Sequence, residues 1–183
     1  MKLADPKAFT RLTPRLNITT FRLNYSPGYN TFIINRVIDD RQHPLHILQT
    51  RLRDQRRKEG LWWHATTGTE LCKSSRIRTW CRRRLRNAFT GALNERGFDQ
   101  YGRLVDASAL QGPLAHLGRA LRQHKDFSLS GSIRMHALVP LIPAKYTLVQ
   151  REVTELLDLL LSCYQNEITG PRPKGRLDNR KRL

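Results

Sequence analysis

The first regular alternation of apolar and polar positions falls at residues 21–25, where Phe21, Leu23 and Tyr25 are interleaved with Arg22 and Asn24. A period of two marks a half-buried strand, and Ser26-Pro27-Gly28 supplies the turn that ends it. After a polar break at 40–44, Leu45, Leu48 and Leu52 recur at helical spacing among Arg51, Arg53, Arg56, Arg57 and Lys58. This predicts a thin amphipathic helix over 45–59 whose solvent side is positive. Residues 61–67 (Leu-Trp-Trp-His-Ala-Thr-Thr) have the aromatic and β-branched bias of a strand. A long helix is predicted over 76–96, with Ile77, Cys81, Leu85, Ala88, Ala92 and Leu93 as its buried stripe and Trp80 and Phe89 beside them.

Residues 98–128 read as an irregular excursion, with a short helix near 113–123 in which Leu114, Leu117 and Leu121 pack. Ile133, Met135, Ala137 and Val139 alternate with Arg134 and His136, which predicts another half-buried strand, stopped by Pro140 and Pro143. Val149, Val153, Leu156, Leu157, Leu160 and Leu161 then predict a helix over 147–164, with Glu152, Glu155 and Asp158 on its outer side. Strands and helices in this order give an expected α+β class, a small sheet packed with helices.

Length and charge narrow the picture. The 183 residues suffice for one domain, expected over 17–165, and no staple of metal or disulfide is needed at this size. Thirty-three Lys and Arg against fifteen Asp and Glu give a net charge of +18. Such a field is self-repulsive unless a polyanion neutralises it, so nucleic acid is the first partner to consider. No run of about 18 apolar residues exists, so no transmembrane helix is expected. Cys72, Cys81 and Cys163 form an odd set without a C-x-x-C pair, which points to a reducing compartment. His43 and His46 are close together but lack a cysteine or carboxylate pair to complete a metal site, so no metal is assigned.

Up to Ile38 the chain has one acid, Asp5, before residue 39, against six Lys and Arg, with threonines at 10, 13, 19, 20 and 31. This is the composition of a mitochondrial transit segment, expected over 1–16, although the whole chain is basic. A mitochondrial location is therefore expected, with the cytoplasm or nucleus as alternatives. The last residues, 166–183, rich in Lys and Arg with two prolines, read as a disordered basic tail.

Chemistry concentrates on the long helix. Arg78, Arg82 and Arg86 stand at i, i+4 and i+8, and Arg76, Arg83 and Arg84 widen the stripe, with no acid among them. Like charges at this spacing repel by a few tenths of a kcal/mol each, and no glutamate is present to relieve them. An external anion does so, and guanidinium suits bidentate phosphate contact. The six arginines are therefore the candidate RNA-binding set. No G-x-S-x-G, P-loop, H-E-x-x-H or EF-hand loop occurs, and the Asp39-Asp40 pair reads as a solvated turn. No protein-borne catalytic site, small-molecule substrate or cofactor is assigned.

The run Arg78-Thr79-Trp80-Cys81-Arg82-Arg83-Arg84-Leu85-Arg86-Asn87-Ala88-Phe89 resembles the signature of the bacterial-type ribonuclease P protein subunit. That signature reads Arg-Asn-Arg, an apolar residue, a Lys/Arg pair, two variable residues, then Arg-Glu-Ala-Phe. The chain departs from it at Thr79, Trp80 and Asn87, and the segments near 40–60 and 97–130 are extra. The resemblance implies a ribonuclease P protein-like α+β sandwich in which the arginine helix forms a crossover. It also implies a cleft that holds the single-stranded 5′ leader of precursor tRNA. Arg78, Arg82, Arg83 and Arg86 would contact the RNA subunit, with any Mg2+ held through the RNA. Phe21, Trp62 and Trp63 would face the leader, although each aromatic equally fits the core. The function then expected is RNA binding as the accessory subunit of a ribonucleoprotein endoribonuclease, aiding 5′ maturation of precursor tRNA. The alternative is a mitochondrial ribosomal protein that binds rRNA.

Overall fold

A computed structural model of the chain describes residues 6–32, 34–122 and 127–169. Among them, β1 (Phe21–Ser26), β2 (Leu61–Thr66) and β3 (Gly131–Ala137) form one small mixed sheet that does not close on itself. Six helices accompany it: α1 (Pro6–Leu12), α2 (Asn35–Asp39), α3 (His46–Gln55), α4 (Ser75–Glu95), α5 (Ala115–Leu121) and α6 (Tyr146–Thr169). The class is α+β.

Strand β3 is central, antiparallel to β1 and parallel to β2. A parallel neighbour cannot be reached through a tight turn. The chain from β2 to β3 therefore crosses over, through α4 and the excursion that carries α5. Register puts Leu23, Met135 and Ala65 in one row and Tyr25, Ile133 and Trp63 in the next. This apolar face packs on α4, where the ring of Trp63 lies 4.7 Å from that of Phe89. Helix α4 contributes Cys81, Leu85, Ala88, Phe89, Ala92 and Leu93 to the core, and α6 closes the layer with its valines and leucines. The other sheet face carries Arg22, Asn24, Ser132, Arg134, His136, Trp62, His64 and Thr66.

Several expectations are corrected. Glu152, read as a solvent-side residue of α6, is 1% exposed. Its carboxylate accepts hydrogen bonds from the backbone N–H and hydroxyl of both Thr19 and Thr20, just ahead of β1. These four donors satisfy a buried charge that spacing alone places outside. Trp80, read as flanking the buried stripe, is instead 48% exposed, because the apolar stripe of α4 is centred on Cys81 and Leu85. No residue of α3 is buried, and its leucines Leu48 and Leu52 stay about half exposed although α2 packs beside them.

Part of the expected transit segment, residues 1–16, is tied to the fold through Phe9 and α1. Phe9 is buried with its ring 4.9 Å from that of Tyr25, and α1 lies against α6. Cleavage before Asn17 removes a core aromatic from this fold. At the other end, α6 runs through 166–169, and residues 170–183 of the expected tail lie outside the described residues.

Two polar clamps tie the sequence-distant parts together. Arg96, at the end of α4, makes a bidentate pair with Asp158 of α6 at 2.7 Å and 2.7 Å. Burial pushes the Glu152 carboxyl up, but the hydrogen bonds from Thr20 and Thr19 outweigh it and hold the group below its ordinary 4.5. A lowered folded pKa contributes stability above the unfolded value, and that contribution is lost as pH falls through the folded one. Glu152→Gln replaces an acceptor with an N–H facing N–H and O–H donors, and is expected to destabilise the fold by about 2–4 kcal/mol near neutrality. In urea titrations its deficit against the wild type should shrink as pH is lowered below 4.5. A deficit that stays constant down to acid unfolding contradicts the clamp.

Candidate nucleic-acid interface

The order β1-β3-β2 leaves one edge of β2 without a strand partner. The chain just before it must turn tightly. Gly60 takes φ +68°, and a Cβ there falls 2.5 Å from the Tyr101 carbonyl oxygen, so only glycine fits without strain. That carbonyl accepts from the Leu61 N–H at 2.7 Å. Asp99 Oδ1 accepts from the N–H groups of Tyr101 and Arg103, which fixes the turn. Trp63 Nε1 donates to the Gln100 carbonyl at 2.8 Å. Residues 99–103 are thereby held against the start of β2.

Between this turn, the β2 edge and α4 lies a groove of about 510 Å³. Its floor is Trp63, His64 and Ala65. Thr79, Arg82, Arg83, Arg86 and Thr90 of α4 form one wall, and Arg56, Gln100 and Tyr101 complete it. Amides alternate sides along a strand. The Leu61 N–H leaves the sheet toward Tyr101, so those of Trp63 and Ala65 leave on the same side, toward the groove.

Four arginines and no carboxylate line the groove. His64 registers the resulting field. Its pKa is lowered below 6.5, first by burial and then by the charges of Arg56 and Arg86, and its Nε2 is buried without a hydrogen-bond partner. The imidazole is therefore neutral at physiological pH. Backbone N–H groups, guanidiniums and half-buried aromatic surface make a site for an anion that carries flat apolar groups.

The six arginines of α4 divide into two sets. Arg82, Arg83 and Arg86 are exposed and line the groove. Arg76 is exposed near the N-terminus of the helix, beside a second hollow. Arg78 and Arg84 are half-buried and bind the fold. Arg78 donates to the carbonyls of Cys72 and Lys73, pinning the loop before α4. Arg84 donates to the carbonyls of Leu141 and Ala144, pinning the link from β3 to α6. In this fold these two arginines therefore brace backbone, unlike the three that line the groove.

The aromatics are likewise redistributed. Phe21 is buried on the helix-facing side of the sheet and offers no face to a base. Trp62 lies on the opposite face, but Tyr29 packs 5.0 Å from its ring and the Arg56 guanidinium lies 3.9 Å from its centroid, leaving it buried. Trp63 alone of the three reaches the groove. Arg56, His64, Gln100 and Tyr101 belong to the site without having been singled out in the sequence as site residues. The basic character of 51–58 was a signal for Arg56, whereas nothing local announces the Gly60–Tyr101 contact. No family model matches the chain, and no curated protein or solved structure does so either.

A polyanion in the groove neutralises Arg56 and Arg86 and so lifts the His64 pKa. Binding then takes up a proton, and affinity should rise as pH falls through the interval between the free and bound values. Imidazole NMR titration is expected to place His64 below 6.5 in the free protein and higher when an oligonucleotide is bound. An unmoved His64 pKa places the anion elsewhere. The division of arginines is tested separately. Arg84→Ala should lower stability by about 1–3 kcal/mol by leaving part-buried carbonyls unpaired, whereas Arg82→Ala should leave the melting temperature within about 2 °C.

Proposed function

We propose that this chain binds RNA, taking an unpaired strand along the β2 edge and α4, and that it acts as a ribonuclease P-type accessory subunit. The observation that carries the reading is the groove itself, with four arginines, no carboxylate and outward-facing strand amides. The half-buried ring of Trp63 and the exposed ring of Tyr101 suit stacking against unpaired bases, whose faces are free where those inside a paired stem are not. Thr79, Thr90 and Gln100 supply polar groups within reach of a 2′-hydroxyl.

The order of elements supports the finer part of the proposal. Strand β2, the arginine helix α4, the parallel strand β3 and the long α6 follow one another as the resemblance to that family implies. Major-groove reading of DNA by α4 is less well supported, since a strand and a loop precede it where a helix-turn-helix requires a helix. In the proposed role the protein holds and orients the strand by charge and stacking, while the RNA partner supplies the cleavage chemistry and any Mg2+ it needs.

Crosslinking in cells followed by sequencing of the RNA bound to the tagged protein tests which RNA this is. Reads on precursor tRNA leaders and one catalytic RNA are expected. Reads confined to rRNA support the ribosomal alternative instead, and recovery of no RNA overturns RNA binding. In vitro, the Arg82→Glu/Arg83→Glu/Arg86→Glu variant should keep its circular dichroism spectrum and lose binding to single-stranded RNA. For the wild type, the salt dependence should show a log–log slope near −3, about 0.7 for each of four neutralised phosphates. Equal binding by the triple variant excludes α4 as the contact.

A further inference from the structure

Beyond the groove, α4 presents a second constellation on its neighbouring surface. Trp80 is 48% exposed, and Tyr146, at the start of α6, is 41% exposed. The guanidinium of Arg84 lies 4.8 Å from the Trp80 ring centroid and 5.9 Å from that of Tyr146, within cation–π reach of both. Arg84 is itself fixed by the carbonyls of Leu141 and Ala144, so the indole rests against a cation that is tied to the fold. Beside Trp80 is a hollow of about 290 Å³ lined by Ser75, Arg76, Thr79, Trp80 and Arg83, again without a carboxylate.

Two residues make this surface continuous with the groove. Thr79 and Arg83 line both cavities, so a strand leaving the groove over Thr79 enters the hollow directly. A large apolar ring left half in water beside two free guanidiniums is poorly explained by packing, since burial of its remaining area is what the core would favour. It is well suited to a flat apolar group that carries a negative charge.

We propose that Trp80, backed by Arg84 and flanked by Tyr146, stacks one unpaired nucleobase of a bound RNA, whose adjoining phosphate sits in the hollow against Arg76 and Arg83. The proposal rests on the reading that the groove binds single-stranded RNA, and extends the bound strand around α4 to a second position. Arg84 braces the indole, Trp80 provides the stacking surface, and Arg83 is shared between the two phosphate positions. The ligand class is a single strand, because a base within a duplex has no free face to offer.

The test uses the full chain and oligoadenylate long enough to span both cavities, alongside the same oligonucleotide carrying single abasic positions. Trp80→Ala should weaken binding about tenfold, and Trp80→Phe should retain most of the affinity, as expected for loss and retention of one stacking contact. At one position, removal of the base should weaken wild-type binding by a similar factor and have little further effect in Trp80→Ala. Thermal melting should be nearly unchanged in both variants, since the ring is exposed. Wild-type affinity in Trp80→Ala, or abasic losses that are the same in both backgrounds at every position, overturns the stacking site while leaving the groove intact. Failure of the wild type to bind the oligonucleotide at matched salt overturns the RNA reading itself, and the stacking site with it.

Discussion

The parallel pairing of β2 with β3 is the constraint from which the arginine-lined groove follows. It forces a crossover, whose longest element is α4. Because β3 is central, β2 keeps one edge open, and α4 comes to lie beside that edge. Had β2 paired antiparallel with β3 through a hairpin, no helix would flank the edge and no groove would exist. The glycine at 60 completes the arrangement by letting the turn at 99–103 approach the strand, which supplies the groove with its third side.

A helix with six arginines and no nearby acid is unfavourable in isolation, and the fold offsets this without neutralising it. Arg78 and Arg84 are bound to backbone carbonyls, which turns two of the charges into braces for the loops at either end of the sheet–helix layer. The clamp of Glu152 on Thr19 and Thr20, and the Arg96–Asp158 pair, hold α6 against the sheet and α4 from the far side. These two carboxylates fix elements together, and none lines the groove. The remaining arginines stay available to an external anion.

The fold was legible in the sequence where one face of an element is buried. The periodicity of Cys81, Leu85 and Ala88, and of Val149, Val153 and Leu156, identified α4 and α6, and the alternation around Leu23 and Met135 identified β1 and β3. Failures have a common cause, since local pattern cannot show which sequence-distant groups meet. Glu152 reads as solvated until Thr19 and Thr20 are brought to it across 132 residues or more. Leu45, Leu48 and Leu52 read as the apolar side of a thin amphipathic helix, yet each stays about half exposed. Arg82 and Arg84 are equivalent by composition, yet two positions along a helix separate the wall of the groove from the link between β3 and α6.

The same argument explains why the aromatics were harder to place than the arginines. A tryptophan is equally at home in a core and on a stacking surface, so its sequence context decides little. Trp62 and Trp63 are adjacent on one strand and necessarily point to opposite faces, so a single strand assignment could not send both to the same ligand. Trp62 is then covered by Tyr29 and Arg56, whereas Trp63 turns its polar edge to Gln100 and its ring to Phe89 at the floor of the groove. Trp80 stands one position ahead of the buried Cys81 on a helix that turns about 100° per residue. That rotation carries its ring out of the core and onto the surface where the free arginines lie. The exposed rings and the free guanidiniums therefore share one side of the molecule for a geometric reason, the angular distance of each from the stripe that α4 must bury.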